Sequence, residues 1–320
     1  MSTINVFITR KIPEIAVQLL QARGYRVDIA AENEELSQEQ LKAGVSGADA
    51  LISLLSDRID REIIDNAPKL KIIANYAVGF NNIDVDYARS KNIMVTNTPE
   101  VLTDATADLT WALILSLARR VVEGDRFCRE GRFSGWGPLL LLGGDVAGKT
   151  LGIIGAGRIG QAVGNRAGGF RMNILYSDPQ ARLQFEKECA AKRVSTEELL
   201  TRSDFITLHC PLNEQTRHLI NARNIFAIKK GAYLINTARG ALIEEQALVK
   251  ALQREHLAGA GLDVYEFEPR INTALLGFSN VVLLPHIGSA TLKTRSDMAR
   301  IAAQNVINYL EKGEALTPVY

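Results

Sequence analysis

The chain has 320 residues, with 37 Lys and Arg against 36 Asp and Glu, a net charge of +1 and a hydrophobic content of 47%. That length suggests about two domains, the apolar share suffices for sizeable cores, and the balanced charge leaves no basic footprint for nucleic acid. The three cysteines, Cys128, Cys189 and Cys210, are far apart and lack CxxC spacing, which fits a reducing compartment rather than a disulfide framework or a zinc cluster. The start, MSTINVFITRKIPE, has no apolar run of signal-peptide length. No stretch reaches the roughly 18 apolar residues of a membrane span. A soluble, cytoplasmic protein without a metal is expected.

In chain order, NVFIT (5–9), RVDIA (26–30), ADALIS (48–53), LKIIANYA (70–77) and IMVTN (93–97) read as strands. Helical stretches lie between them at about 13–23, 37–46, 60–66 and 84–91. This alternation implies a parallel sheet covered on both faces. A longer helical pattern spans about 103–130 and is apolar around most of its circumference from Leu109 to Val122. Such a helix must be buried on several sides, as a core helix or at a subunit interface. SGWGPLLLLGG (134–144) carries no charge; its glycines and Pro138 make it a loop or arm, whose apolar side chains need a cover such as a partner subunit.

A second alternating series begins at KTLGIIG. Strands are expected at about 150–154, 173–177, 204–209, 232–236, 258–263 and 281–284, and a closing helix at about 291–312. TLGII runs straight into Gly155, Gly157 and Gly160, and a helical pattern opens from that loop. The three glycines suit a tight turn, the approach of a pyrophosphate and close helix–strand packing, and the helix N-terminus suits the phosphate charge. Asp178 ends the next strand, where a carboxylate accepts hydrogen bonds from ribose hydroxyls and repels the extra phosphate of NADP. A turn residue before Pro179 is also sensible chemistry there, but the glycines favour the cofactor reading. Arg182 nearby leaves room for NADP.

Arg239, Asp263 and His286 all follow apolar strands, and Glu268 comes shortly after Asp263. In open α/β sheets, ligands bind at the carboxyl ends of strands. These residues therefore fall on the edge where a nicotinamide would lie. Taken singly, each has an ordinary alternative as a solvated or packed side chain.

Over essentially its whole length the chain resembles the D-isomer-specific 2-hydroxyacid dehydrogenases, and within them the glyoxylate and hydroxypyruvate reductases. The resemblance rests on NYAVGFNNID, TPEVLTDATADLT, LGIIGAGRIG, HCPLNEQTRHLI, INTARGALIEEQAL, AGLDVYEFEP and PHIGSAT. It implies an α/β protein of two doubly wound parallel-sheet domains with a cleft between them. A flavodoxin-like substrate domain (1–99 and 290–320) would accompany a Rossmann NAD-binding domain (100–289). It implies that Arg239 binds the substrate carboxylate and keto oxygen, and that His286 is the general acid in reduction. Glu268 would hydrogen-bond His286 and favour its imidazolium. Asp263 would take the nicotinamide carboxamide. Thr106, Arg158, Ile159, Cys210, Pro211, Thr216, Thr237, Ala238 and Gly288 would join the glycines and Asp178 around NAD. The N–H groups of Val78 and Gly79 would hold the substrate carboxylate beside Leu54. A homodimer is implied, with Trp136 of the arm reaching a neighbour's substrate pocket. Within the family, 3-phosphoglycerate dehydrogenases would want added basic residues, and phosphite enzymes a lysine that AVGFNNID lacks. An NAD-sensing corepressor would want long flanking tails.

Overall fold

The computed structural model describes residues 3–30 and 35–320. The chain divides into two units, one formed by Met1–Leu102 with Ser289–Tyr320 and the other by Thr103–Gly288.

In the first unit β1 (Asn5–Ile8), β2 (Arg26–Ile29), β3 (Ala50–Ser53), β4 (Ile72–Asn75) and β5 (Met94–Thr96) pair in parallel in the order β2-β1-β3-β4-β5. That is the flavodoxin-like order. β3 and β4 are buried along their whole length, as strands covered on both faces must be. β2 is an edge strand and mostly exposed, which is why it accommodates Arg26 and Asp28. The connecting helices are α1 (Ile15–Gln21), α2 (Gln38–Val45), α3 (Arg61–Asp65) and α4 (Val85–Ser90). Three start at local caps: Ser37 with Gln40 forms a capping box, Asp60 accepts from Glu62 and Ile63 N–H, and Asp84 accepts from Tyr87 N–H. Phe7, Leu41, Val45, Leu51, Ile63, Ile73 and Val95 share one core cluster.

The second unit opens with a difference from the sequence reading. The apolar pattern across 103–130 is not one helix but two, α5 (Thr103–Ala118) and α6 (Val121–Arg129). Arg120 between them takes the left-handed conformation, φ 53°, and its guanidinium pairs with Glu123 at 2.7 Å. The arm returns at this point: Gly144 N–H donates to the Ala118 carbonyl at 2.7 Å, satisfying a helix-end acceptor. Val121 and Val122 thus lie outside the buried stripe, both exposed. α5 itself buries Leu113, Ile114 and Leu117, each contributing roughly 1.5–3 kcal/mol of apolar burial. Gly261 admits the helix, since a Cβ there would lie 3.0 Å from Leu117 and 3.2 Å from Leu113.

The chain then forms β6 (Thr150–Ile154), α7 (Arg158–Ala167), β7 (Asn173–Ser177), α8 (Leu183–Cys189), β8 (Lys192–Arg193), α9 (Thr196–Arg202) and β9 (Phe205–Leu208). It continues through β10 (Tyr233–Asn236), α10 (Glu245–Gln253), β11 (Gly259–Leu262) and β12 (Val281–Leu283). All pairings are parallel, in the order β12-β11-β10-β9-β6-β7-β8. Counting β6 as the first strand, this is the Rossmann order 3-2-1-4-5-6 with one further strand. Two large apolar clusters belong to this unit, one containing Leu208, Leu234 and Leu248, the other Leu113, Ile153 and Phe205. The arm (134–144) forms no regular element, with Trp136 85% and Leu139 80% exposed.

The chain ends in the first unit with α11 (Leu292–Lys312), capped by Thr291 and closed by Gly313 at φ 76°. It packs against α1, β3 and β4 and buries small residues such as Ala302 and Ala303. Among the described residues no helix is long and apolar enough to cross a membrane.

Candidate active site

β6 ends at a turn that only glycine fits. Gly155 has φ 91°, and a Cβ on it would lie 2.5 Å from the backbone nitrogen of Cys210. The turn therefore presses directly on the segment leaving β9, beside the switch point where strand order reverses. A Cβ at Gly160 would lie 2.2 Å from the Gly155 carbonyl oxygen, so α7 docks closely on its own strand. At Gly157 a Cβ would meet no protein atom within 4 Å, leaving this turn open on its outer side. α7 starts at Arg158 and Ile159, so its first N–H groups border that open side. A backbone with this shape and these donors fits a pyrophosphate.

Asp178, just past β7, accepts from Ala156 N–H at 2.9 Å with one oxygen and from Gln180 N–H at 2.9 Å with the other. It thus joins the glycine turn and also makes the local turn that the sequence left open. Arg182 pairs with it at 3.1 Å. Cys210 lies close enough for Asp178 to act on it; burial first, then that charge, push its thiol up to about 11. Pro211 and Thr216 share one turn, the Thr216 hydroxyl donating to the Pro211 carbonyl at 2.6 Å.

Arg239 follows β10. The fully buried Asn236 shapes the turn that carries it, accepting from Ala238 N–H at 3.0 Å and donating to the Arg239 carbonyl at 2.8 Å. Gly240 comes next because a Cβ would lie 1.8 Å from the Tyr265 carbonyl carbon. The two backbones touch there, which brings Arg239 beside the turn carrying Glu268. Burial pushes the Arg239 guanidinium down and the charge of Glu268 pushes it back up; arginine stays charged throughout.

Glu268 and His286 meet at 2.8 Å, Oε2 to Nδ1. The second Glu268 oxygen accepts from Tyr265 N–H at 2.9 Å. The Tyr265 hydroxyl donates to the Leu284 carbonyl at 2.8 Å, tying this turn to the strand end that carries His286. Burial raises the Glu268 carboxyl, but the hydrogen bond and charge of His286, the Tyr265 N–H and the Arg239 charge outweigh it and hold its pKa below the usual glutamate value. With Nδ1 given to Glu268, Nε2 is the His286 atom left to exchange a proton with a ligand.

His286 itself sits at φ 55°, a conformation uncommon for a side chain of its size. Asp263, fully buried at the end of β11, holds the backbone there. Its two oxygens accept from Ile287 and Gly288 N–H, each at 2.7 Å. Burial raises the Asp263 carboxyl against the pull of those N–H groups and of the His286 charge. The Gly288 carbonyl accepts from Thr106 at 3.3 Å, and Thr237 bonds Thr110 at 2.9 Å, so α5 braces the same edge. Asp263, Tyr265, Asn236 and Gly240 thus position the constellation; the last three carried no signal in the sequence reading.

In the first unit Leu54 and the Val78–Gly79 loop are joined through a polar network. Asn82 donates to the Leu54 carbonyl at 3.0 Å, and Asn75 donates to the Gly79 carbonyl at 2.8 Å. Among the described residues no group of three His, Cys, Asp or Glu side chains could hold a metal ion.

A Rossmann unit with an arginine and a glutamate–histidine pair on its carboxyl edge defines a nicotinamide-dependent oxidoreductase. The chain belongs to the D-isomer specific 2-hydroxyacid dehydrogenase family, whose NAD binding domain matches residues 111–288. It is 50% identical over 314 residues to a glyoxylate reductase of Pyrococcus horikoshii, covering 97% of this chain and 93% of that one. An NADPH-dependent glyoxylate/hydroxypyruvate reductase of Sinorhizobium meliloti, solved with NADP and malonate, superposes with a TM-score of 0.88 at 31% identity over 99% of this chain and 97% of that one. A D-lactate dehydrogenase of Aquifex aeolicus, solved with NAD and lactic acid, gives 0.85 at 29% identity, covering 98% of each chain.

Proposed function

We propose that the protein reduces a small 2-oxo acid, glyoxylate or hydroxypyruvate, to the D-2-hydroxy acid with NADH. The observation that carries this reading is the Glu268–His286 pair beside Arg239 on the carboxyl edge of the Rossmann sheet. A nicotinamide held by the glycine turn would supply a hydride for the keto carbon. His286 gives a proton from Nε2 to the keto oxygen while Glu268 stabilises the imidazolium. Arg239 binds the keto oxygen and stabilises the charge that builds on it. In the first unit the N–H groups of Val78 and Gly79 take the substrate carboxylate, with Leu54 on the substrate side.

Asp178 supports NADH, because its carboxylate would repel the extra phosphate of NADPH. NADPH is the second reading. Arg182 on the Asp178 side chain, and Arg193 donating to the Asp178 carbonyl at 3.0 Å, favour it. The exposed Trp136 and Leu139 of the arm support a homodimer in which the arm is covered by a second copy. Three free cysteines suit the cytoplasm.

An initial-rate panel with glyoxylate, hydroxypyruvate, pyruvate and phenylpyruvate, each with NADH and NADPH, tests the reading. His286→Ala is expected to lower kcat by about 10²–10⁴-fold, the usual share of a general acid. An unchanged kcat removes His286 from proton transfer. Light scattering at micromolar concentration tests the dimer, and a monomer would refute it.

A further inference from the structure

Three successive peptide groups of the first unit have their carbonyls held by amide donors. Thr98 N–H donates to the Ala77 carbonyl at 2.9 Å. The Asn97 side chain donates to the Val78 carbonyl at 2.8 Å. The Asn75 side chain donates to the Gly79 carbonyl at 2.8 Å. In a trans peptide the C=O and N–H point in opposite directions. Each anchored carbonyl therefore turns the N–H of the following residue away from its anchor: Val78, Gly79 and Phe80. Among the described residues none of these three N–H groups donates to a protein acceptor. A donor on the carbonyl also polarises its peptide and strengthens the opposite N–H.

The two asparagines are themselves fixed. Asn75 is fully buried, and its Oδ1 accepts from the Ser53 hydroxyl at 3.1 Å, which leaves Nδ2 for Gly79. Asn97 is held through its backbone by Thr317 of the C-terminal segment. Its N–H donates to the Thr317 carbonyl at 3.2 Å, and its carbonyl accepts from the Thr317 hydroxyl at 2.6 Å.

We propose that Asn75 and Asn97 are positioning residues that set the Val78, Gly79 and Phe80 N–H groups as a three-donor cradle for the substrate carboxylate, Phe80 N–H being the third donor. This rests on the reading of the protein as a 2-oxo-acid reductase. It adds the reason why the peptides of this glycine loop are held fixed, each by a donor on its carbonyl. Neither asparagine touches substrate; each acts through a carbonyl. Asn97→Ala removes the donor on Val78, and Asn97→Asp puts an acceptor against that carbonyl, which turns the peptide.

The test compares glyoxylate with its methyl ester at saturating NADH. The ester lacks the charge that the cradle reads. In Asn97→Ala the acid-over-ester ratio of kcat/KM is expected to fall by about tenfold or more, the scale of one hydrogen bond to a charged group. Asn97→Asp should lower it further, and the Kd for NADH should stay unchanged in both. A ratio equal to that of the unsubstituted protein overturns the proposal. Asn75→Ala should act alike, and if it does not fold, the two Asn97 variants decide. If the unsubstituted protein reduces no 2-oxo acid, the reductase reading fails by itself. The cradle is then read by titrating the NADH-bound protein with oxalate and following the amide signals of Val78, Gly79 and Phe80. Shifts at these amides that weaken in Asn97→Ala support it, and no shift overturns it.

Discussion

His209, just past β9, offers a measurable consequence of burial. Its imidazole Nε2 is shut off from solvent without a protein partner. Burial lowers its pKa from 6.5 to about 3, because nothing compensates a charge there. The native state therefore stays neutral where the unfolded chain takes up a proton. Stability contributed by the neutral ring is fully present above pH 6.5 and is lost progressively as the pH falls towards 3. The full shift corresponds to about 5 kcal/mol at roughly 1.36 kcal/mol per unit. Between pH 7 and pH 5, where carboxylates hardly titrate, about 2 kcal/mol should disappear. Urea unfolding followed by Trp111 reads the right unit, since Trp111 is buried in it, stacked on Phe170. His209→Gln is neutral throughout, and subtracting its pH dependence cancels every other titrating group. The level of stability in that variant is irrelevant; the slope decides. If the variant and the unsubstituted protein lose the same free energy between pH 7 and pH 5, the argument from burial is wrong.

Three further outcomes are expected. Glu268→Gln keeps the shape but removes the charge facing His286, so kcat should fall about 10–100-fold, the scale of a charged hydrogen bond, with the NADH Kd unchanged in a fluorescence titration; an unaltered kcat refutes the pairing. Gly240→Ala places a Cβ against the Tyr265 backbone, where neither chain has a flexible end to yield. A loss of about 1–3 kcal/mol or more is expected, seen as a lower Tm by calorimetry, and an unchanged Tm would mean that the contact relaxes freely. Asp178→Gly removes the charge that opposes a phosphate, so the NADPH-over-NADH ratio of kcat/KM should rise by about tenfold or more; a constant ratio would place selectivity elsewhere.

Strands such as Ala50–Ser53 and Phe205–Leu208 are legible because burial on both faces leaves continuous apolar runs. β8 is not, being two exposed basic residues at an edge. The helix break at Arg120 is hidden because its cause lies in the arm: the Gly144 N–H reaches Ala118 from far along the chain. The glycine turn and the Glu268–His286 pair are legible as motifs. The parts that aim them are not. Asn236, Tyr265 and Asn75 act through backbone carbonyls and N–H groups at strand ends, where the sequence shows only an ordinary polar or aromatic residue closing an apolar run.

The return of α11 to the first unit has a consequence for how the protein is made. α1 buries Ala16, Val17 and Leu20, and its packing partner α11 is synthesised only after the whole second unit. The Arg23–Glu311 pair spans 288 positions. The second unit is contiguous and can close its core as it leaves the ribosome, whereas the first keeps the face that α11 covers bare until that helix arrives. Long-range closure of this kind is slow, and bare apolar surface favours aggregation while it lasts. On a growing chain, the unit begun before the other is therefore completed after it.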